Sequence, residues 1–243
     1  FLCRDGEFVV VLGKPGAGKT TLLRMISGID EPTSGEIYIG DTLVNGQPPE
    51  KRNVCMAFET YALYPHISVK QNMLSPLMSS NININKEERE KRIKEVATLL
   101  EIEELLDRKP SQLSGGQRQR VSLARALVKS ENANCTLLDE PISHLDARLR
   151  NSMRGELKKY LKNKGASVIY TTADYAEALG IADRIIVIIE GVLHMYASAE
   201  EVFNNPQDLG VANMIGDPKI NFFECTALKE VVIGNQAFSP SDI

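Results

Sequence analysis

A glycine-rich turn near the start of the chain carries the residues best suited to binding phosphate. Residues 13–20 read Gly-Lys-Pro-Gly-Ala-Gly-Lys-Thr, which fits the phosphate-binding pattern G-x-x-x-x-G-K-[ST]. The glycines let backbone N–H groups fold around phosphate oxygens, while Lys19 adds a positive charge and the Thr20 hydroxyl can bind Mg²⁺. The residues expected to contact a nucleotide such as ATP are Gly13, Lys14, Pro15, Gly16, Ala17, Gly18, Lys19, Thr20 and Thr21. This pattern alone leaves kinases, GTPases and other nucleotide hydrolases open.

A pair of glycines opens a predicted helix farther along the chain. Residues 113–120 read Leu-Ser-Gly-Gly-Gln-Arg-Gln-Arg and lead into an apolar face formed by Val121, Ala124 and Val128. Glycine in a helix costs about 1 kcal/mol relative to alanine. The pair is explained if bare backbone amides and the Ser114 hydroxyl must approach a phosphate closely.

Two carboxylates follow a short apolar run that predicts a buried strand. The run covers residues 135–138, and Asp139 and Glu140 come directly after it. Both carboxylates therefore lie at the carboxyl end of a strand, where α/β sheets form their ligand sites. An isolated Asp-Glu pair is usually solvated, but its combination with a phosphate-binding loop favours a nucleotide site.

These three motifs together resemble the ABC ATPases, a family whose signature is Leu-Ser-Gly-Gly-Gln. The resemblance implies that Asp139 holds Mg²⁺ together with Thr20. It also implies that Glu140 is the catalytic glutamate, which polarises the water that attacks the γ-phosphate of ATP.

The signature segment implies a dimer of ATPase subunits. In the family this loop closes on the nucleotide held by the opposite subunit, so the second half of each site is supplied in trans. The residues implied in this role are Ser114, Gly115, Gly116 and Gln117. The sequence leaves open whether the dimer is a homodimer or a heterodimer.

Three segments narrow the resemblance to the maltose-type branch of the family. They are residues 61–66 (Tyr-Ala-Leu-Tyr-Pro-His), residues 35–40 and residues 221–224. That branch drives import of sugars and related solutes such as glycerol phosphate. The resemblance implies transmembrane permease subunits as partners, a peripheral position on the cytoplasmic face of the cell membrane, and a permease contact near residues 61–65.

Two positions depart from the family pattern. Glu59 stands where the family has a glutamine that touches Mg²⁺, although a carboxylate can still bind this ion. Ala173 stands where the family has a histidine that contacts the γ-phosphate. Loss of one such donor slows chemistry by about 10²- to 10³-fold. The sequence therefore predicts an ATPase of reduced rate, with a degenerate subunit that binds ATP and pairs with a competent partner as the alternative.

Composition excludes other functional classes. The net charge of −4 gives no electrostatic reason to bind DNA or RNA. No apolar run approaches the roughly 18 residues of a membrane span. The first five residues lack a basic region followed by an apolar one, so a secretory signal is not expected. An ABC protein of DNA repair or translation would need long coiled-coil insertions or tandem cassettes, and the sequence has neither. Four scattered cysteines predict reduced thiols rather than disulfides or a metal site.

The motifs lie on alternating strands and helices. Strands are predicted at residues 8–12, 135–138, 167–170 and 185–189, and helices at 20–27, from about 85, and at 116–129. This order predicts a parallel α/β fold, the P-loop NTPase core of ABC-ATPase type. Residues 35–46 alternate in hydrophobicity and predict an antiparallel β portion.

The expected domains follow from this order and from the resemblance. Residues 1–61 and 131–218 form the ATP-binding core, and residues 62–130 form an inserted helical subdomain. Residues 219–243 are expected to begin a truncated C-terminal regulatory β-domain. In the family an aromatic residue that stacks on adenine precedes the phosphate-binding loop. It would lie upstream of residue 1, so weaker nucleotide binding is expected.

Overall fold

The computed structural model describes residues 1–58, 60–79, 82–216, 221, 231–233 and 236–238. The strands of this part are β1 Phe8–Leu12, β2 Tyr38–Ile39, β3 Thr42–Leu43, β4 Val54–Ala57, β5 Cys135–Asp139, β6 Val168–Thr172, β7 Arg184–Ile189, β8 Val192–Ser198, β9 Val231–Ile233 and β10 Gln236–Phe238. The helices are α1 Lys19–Ser27, α2 Val69–Leu74, α3 Lys86–Leu99, α4 Gly115–Leu127, α5 Ala147–Asn163, α6 Tyr175–Ile181, α7 Ala199–Asn204 and α8 Leu209–Met214.

A six-stranded sheet in the order β4-β5-β6-β1-β7-β8 forms the centre of the fold. The first five of these strands are parallel, and β8 pairs with β7 in the antiparallel direction. In register, Leu12 lies opposite Thr172, and Asp139 lies opposite Thr171. The carboxyl ends of β1, β5 and β6 therefore meet at one edge of the sheet. This confirms the predicted parallel α/β fold and places the phosphate-binding loop and the strand-end carboxylates on the same edge.

Strand β1 is buried along its whole length because both faces of the sheet are covered. Phe8, Val10 and Leu12 belong to the larger apolar cluster, which includes the helices of residues 62–130. Val9 and Val11 point to the opposite face and pack with apolar residues of α1. The strand thus fixes the start of the phosphate-binding loop rigidly within the sheet.

Helices α2, α3 and α4 lie between β4 and β5 in the chain, as the sequence predicted for this block. Asn85 caps α3 by accepting a hydrogen bond from the Glu88 backbone amide at 2.8 Å. The reciprocal bond of a full capping box is absent there, because the Glu88 carboxylate pairs with Arg92 at 2.9 Å instead. Ile93 and Val96, on one face of α3, are buried and join the same cluster as the sheet. The division at residues 62 and 130 stays a prediction.

The antiparallel portion expected at residues 35–46 is confirmed as the two-stranded sheet of β2 and β3. Of the expected C-terminal domain at 219–243, most lies outside the described residues; the described pieces include β9 and β10, which pair in the antiparallel direction. Within the described part of the chain, no helix has the length and apolarity needed to cross a bilayer.

Candidate functional site

The glycine-rich loop connects β1 to α1 and leaves the start of this helix open to an anion. Gly16 and Gly18 adopt left-handed backbone conformations, with φ of 82° and 98°. At Gly13 a side chain would place its Cβ 2.8 Å from the carbonyl oxygen of Ile188. The helix N-cap, Gly18, provides no side-chain hydrogen bond, so the amides of the first turn are available to a ligand. This loop fits a phosphate group.

Lys19 connects the loop to the carboxylate of Glu140. Its side chain is 5% exposed, and its Nζ lies 3.0 Å from Oε1 of Glu140. The same amine donates hydrogen bonds to the carbonyl oxygens of Gly13 at 2.9 Å and Lys14 at 3.1 Å. Two motifs separated by more than a hundred residues in the sequence therefore meet at one cation.

Asp139 ends β5 and Glu140 follows it directly. Asp139 is 2% exposed and accepts a hydrogen bond from the Thr171 hydroxyl at 2.8 Å. The Glu140 backbone amide donates to the oxygen of the same hydroxyl at 3.1 Å. Glu140 has a φ of 43°, a conformation that non-glycine residues rarely adopt. The sequence pattern identified both carboxylates but not Thr171.

The residues predicted to bind Mg²⁺ supply hard oxygen ligands, which suit this ion. Thr20 is exposed in the first turn of α1, and Asp139 ends β5 at the same sheet edge. A hydroxyl and a carboxylate at the edge of a phosphate site form a donor set that fits Mg²⁺. Glu59, the third expected ligand, lies outside the described residues.

Gln119 anchors the loop that follows Glu140, and the sequence analysis missed it. Its side chain is 2% exposed. Its amide nitrogen donates to the Glu140 carbonyl oxygen at 3.1 Å, and its amide oxygen accepts from the His144 backbone amide at 3.2 Å. Gln119 shares one face of α4 with the buried residues Leu123 and Ala126. A polar residue on an otherwise apolar helix face was the signal that could have revealed this role.

The signature segment forms the N-terminus of α4. Ser114 accepts a hydrogen bond from the Gln117 amide at 3.3 Å, and the Gln117 side chain accepts one from the Ser114 amide at 2.9 Å. Among the described atoms, a Cβ at Gly115 would meet nothing nearer than the Tyr61 hydroxyl at 4.0 Å, and one at Gly116 nothing nearer than Leu145 at 3.7 Å. The described part of the chain therefore leaves room for side chains at both glycines.

Ala173 follows β6 and is exposed. The segment around it is held by Glu177, which accepts hydrogen bonds from the Thr172 hydroxyl at 2.8 Å and from the Tyr170 hydroxyl. Burial raises the pKa of Glu177, while these two hydrogen bonds act in the opposite direction. Asp174 accepts from the Glu177 amide at 3.1 Å and caps α6. The backbone at Ala173 is thus fixed on both sides, although its side chain offers only a methyl group.

Comparison with known families decides the assignment. The family model described as ABC transporter matches residues 1–143. The chain belongs to the ABC transporter family.

Curated ABC relatives share close to half of their aligned residues with this chain. A trehalose/maltose import ATP-binding protein of Thermococcus litoralis is 46% identical over 93% of this chain and 62% of its own length. An sn-glycerol-3-phosphate import ATP-binding protein of Rhizobium meliloti is 47% identical over 97% of this chain and 64% of its own length. A trehalose import ATP-binding protein of Mycobacterium tuberculosis is 44% identical over 90% of this chain and 55% of its own length. The chain thus spans less than two thirds of the length of these relatives.

Solved ABC structures share the fold. A bacterial ABC transporter cassette determined as a dimer has a TM-score of 0.73 and 32% identity over 82% of this chain and 88% of that chain. A dimeric post-hydrolysis state of the same cassette, bound to ADP and phosphate, matches equally well.

Proposed function

We propose that the chain is the ATP-binding and ATP-hydrolysing subunit of an ABC importer, which energises uptake of a sugar or related solute through membrane partner subunits. The observation that carries this proposal is the 3.0 Å contact between Lys19 and Glu140. It joins a phosphate-binding loop to a carboxylate that can act on water. The names of the relatives support import as the direction of transport and sugars or glycerol phosphate as the solute class.

The loop geometry supports the proposed binding of ATP. The β- and γ-phosphates accept hydrogen bonds from the free amides at the start of α1, and the amine of Lys19 neutralises part of their charge. Thr20, Asp139 and Glu59 are the proposed ligands of Mg²⁺, which when bound neutralises charge on the phosphate oxygens. Lys19 must turn from the Glu140 carboxylate toward the phosphate when ATP enters.

Hydrolysis needs a group that activates water in line with the bond that breaks. We assign this role to Glu140, whose carboxylate draws a proton from water as the water oxygen attacks the γ-phosphorus. The bond between that phosphorus and the β–γ bridging oxygen breaks, and ADP and phosphate leave. The hydrogen bonds of Glu140 to Thr171 and Gln119 keep its backbone in place during this step.

A dimer completes each site in this proposal. Ser114, Gly115, Gly116 and Gln117 contact the nucleotide of the opposite subunit. Support comes from the space around both glycines, because nothing within the described part of this chain requires a missing side chain there. The related cassette determined as a dimer also supports it. A homodimer and a heterodimer fit equally well.

Transmembrane permease subunits are the proposed membrane partners, reached from the cytoplasmic face. Support comes from the import function in the names of the relatives. The segment of residues 61–65 includes Tyr64, which is 53% exposed and whose ring centre lies 5.0 Å from the guanidinium carbon of Arg125. We propose this segment as part of the permease contact.

A reduced rate of hydrolysis is part of the proposal. Ala173 offers no hydrogen-bond donor at the end of β6, where a γ-phosphate contact would act. This same observation favours the competing function, a subunit that binds ATP but hydrolyses little and depends on a competent partner. The intact pair of Lys19 and Glu140 favours the hydrolysing subunit.

The experiment compares uptake of radiolabelled maltose, trehalose and sn-glycerol 3-phosphate in cells that carry the parent gene or a variant. Lys19→Ala should abolish uptake, whereas the matched control Lys159→Ala, at an exposed lysine of α5, should retain it. Uptake that survives Lys19→Ala would contradict the role as energy-supplying subunit. A parent that takes up none of the three solutes would contradict the solute class alone.

A further inference from the structure

Thr171 is the single side chain that contacts both strand-end carboxylate residues within the described hydrogen bonds. It lies on β6, is fully buried, and its hydroxyl donates to Oδ1 of Asp139 at 2.8 Å. The same oxygen accepts from the backbone amide of Glu140 at 3.1 Å. A hydroxyl has one proton and two lone pairs, so it can serve both partners at once.

The sheet fixes this hydroxyl in place. Thr171 pairs with Asp139 across the β5–β6 ladder and with Val11 across the β1–β6 ladder. Threonine is β-branched and stiff at χ1. Its hydroxyl therefore has little freedom to leave the two groups that it contacts.

Glu140 needs such a restraint more than an ordinary residue does. Its φ of 43° lies in the left-handed region, which costs free energy for a residue with a side chain. The hydrogen bond from its amide to Thr171 holds this conformation and aims the carboxylate at Lys19, 3.0 Å away. Valine at position 171 would fill the same space but supply neither bond.

We infer that Thr171 is a positioning residue that sets the Asp139 carboxylate for divalent-cation binding and the Glu140 backbone for hydrolysis. This inference rests on the proposed function. The hydroxyl couples the two residues, because a shift of Thr171 displaces both. The Thr171 hydroxyl would affect a bound divalent cation only through Asp139, to which it donates a hydrogen bond. Loss of a group that hydrogen-bonds to a metal ligand typically lowers metal affinity about 10- to 100-fold.

The test replaces only the hydroxyl. Thr171→Val keeps the shape of the side chain, and Thr171→Ser keeps the hydroxyl and should restore function. Thr136→Val is the matched control, since Thr136 is also fully buried, lies on the neighbouring strand β5, and uses its hydroxyl to accept from the Cys55 thiol at 3.3 Å. Thermal unfolding of all variants reports on folding.

The decisive measurement is Mn²⁺ affinity, read by electron paramagnetic resonance of the whole protein with a non-hydrolysable ATP analogue. Thr171→Val should weaken Mn²⁺ binding about tenfold or more. ATP turnover should fall about 10- to 100-fold, as expected for lost hydrogen bonds to charged and strained groups. Affinity for the analogue without divalent cation should not fall, because the loop at residues 13–20 is intact and a displaced Glu140 competes less for Lys19.

Two results would overturn the inference, and they are distinguishable. A Thr171→Val protein with the Mn²⁺ affinity and turnover of Thr136→Val would show that the hydroxyl has no positioning role, while the proposed function stands. A parent protein that binds neither the analogue nor Mn²⁺ would overturn the proposed function and this inference together.

Discussion

Nζ of Lys19 lies 3.0 Å from Oε1 of Glu140. This amine is shared between one carboxylate and the carbonyl oxygens of Gly13 and Lys14. An incoming phosphate must therefore compete with Glu140 for the same cation. Before ATP binds, Glu140, the proposed water-activating residue, therefore competes with the phosphate groups of the substrate for Lys19.

Replacement of Glu140 by glutamine should separate these two effects. Glu140→Gln removes the competing charge, so we expect nucleotide affinity to rise about threefold to tenfold. The amide cannot take a proton from water, so ATP turnover should fall at least about 100-fold. Equilibrium binding of a fluorescent ATP analogue and the rate of phosphate release measure the two quantities.

The control for this prediction is Lys19→Ala, which removes the cation itself. It should lose nucleotide affinity as well as turnover, in contrast to Glu140→Gln. A Glu140→Gln protein that binds nucleotide more weakly than the parent would contradict the competition between Glu140 and phosphate at Lys19.

The parts of the site that the sequence could predict are those defined by neighbours in the chain. The loop at residues 13–20 follows a buried strand, and its pattern of glycine, lysine and threonine has a local physical reason. Asp139 and Glu140 could be predicted because they end an apolar run. The parallel order of β1 and β5 then brought both motifs to one sheet edge.

The parts that could not be predicted depend on contacts between distant residues. Thr171 is 32 residues from Asp139 in the chain, and Gln119 is 21 residues from Glu140. The local sequence pattern does not show that β6 lies between β1 and β5. It also does not show that Gln119 of α4 contacts the loop after Glu140. Helix α5 is a different case, because its buried residues Met153, Leu157 and Leu161 recur every fourth position, a signal that the sequence analysis did not use.

Gln119 should support turnover without taking part in nucleotide binding. Gln119→Leu keeps most of the volume but removes the hydrogen bonds to Glu140 and His144. We expect ATP turnover to fall about tenfold, with a loss of unfolding free energy of about 1–3 kcal/mol. Steady-state kinetics and urea unfolding measure these quantities.

Asn72→Leu is the matched control for Gln119→Leu. Asn72 is also a fully buried amide on a helix, and its side chain holds the loop at Tyr64 through bonds of 2.8 Å and 3.1 Å. It should lose comparable stability while the turnover of the isolated protein stays unchanged. Equal loss of turnover in both variants would mean that Gln119 acts only through stability.

The proposed dimer predicts that two inactive chains restore activity when mixed. Gly115→Glu places a carboxylate in the first turn of α4, where it favours the helix and its Cβ meets no described atom nearer than 4.0 Å in this chain. It should nonetheless abolish turnover, because in the proposed dimer the new charge would face the phosphate of the opposite subunit. Lys19→Ala should also be inactive, because the phosphate-binding loop of that chain lacks its lysine.

An equimolar mixture should recover about one quarter of parental turnover, since half of the dimers are mixed and each has one intact site of two. Gly155→Glu is the control, because Gly155 also lies in a helix and a Cβ added there would have no described atom within 4 Å. This control should remain active alone. A mixture as inactive as its components would count against sites shared between chains.

The last prediction concerns the rate of hydrolysis. Ala173 is exposed on a backbone fixed by Thr172 and Glu177, so a histidine there gains a donor without disturbing the core. We expect Ala173→His to raise ATP turnover about tenfold or more, measured with the membrane partner present, since one donor at a developing charge contributes about 10²- to 10³-fold. Ala176→His, at an exposed position three residues farther along in α6, should have no effect.

Two double variants test why Ala173→His raises ATP turnover. Glu59→Gln in the Ala173→His background should raise turnover further but less than additively, because both side chains are proposed to order the same water and phosphate. Glu140→Gln should abolish the gain, because the new donor stabilises a transition state that forms only when water is activated. If Ala173→His changes nothing while Glu140→Gln still removes all activity, another residue supplies the γ-phosphate contact. If no variant hydrolyses ATP, the chain is the ATP-binding subunit of a pair whose partner performs the chemistry.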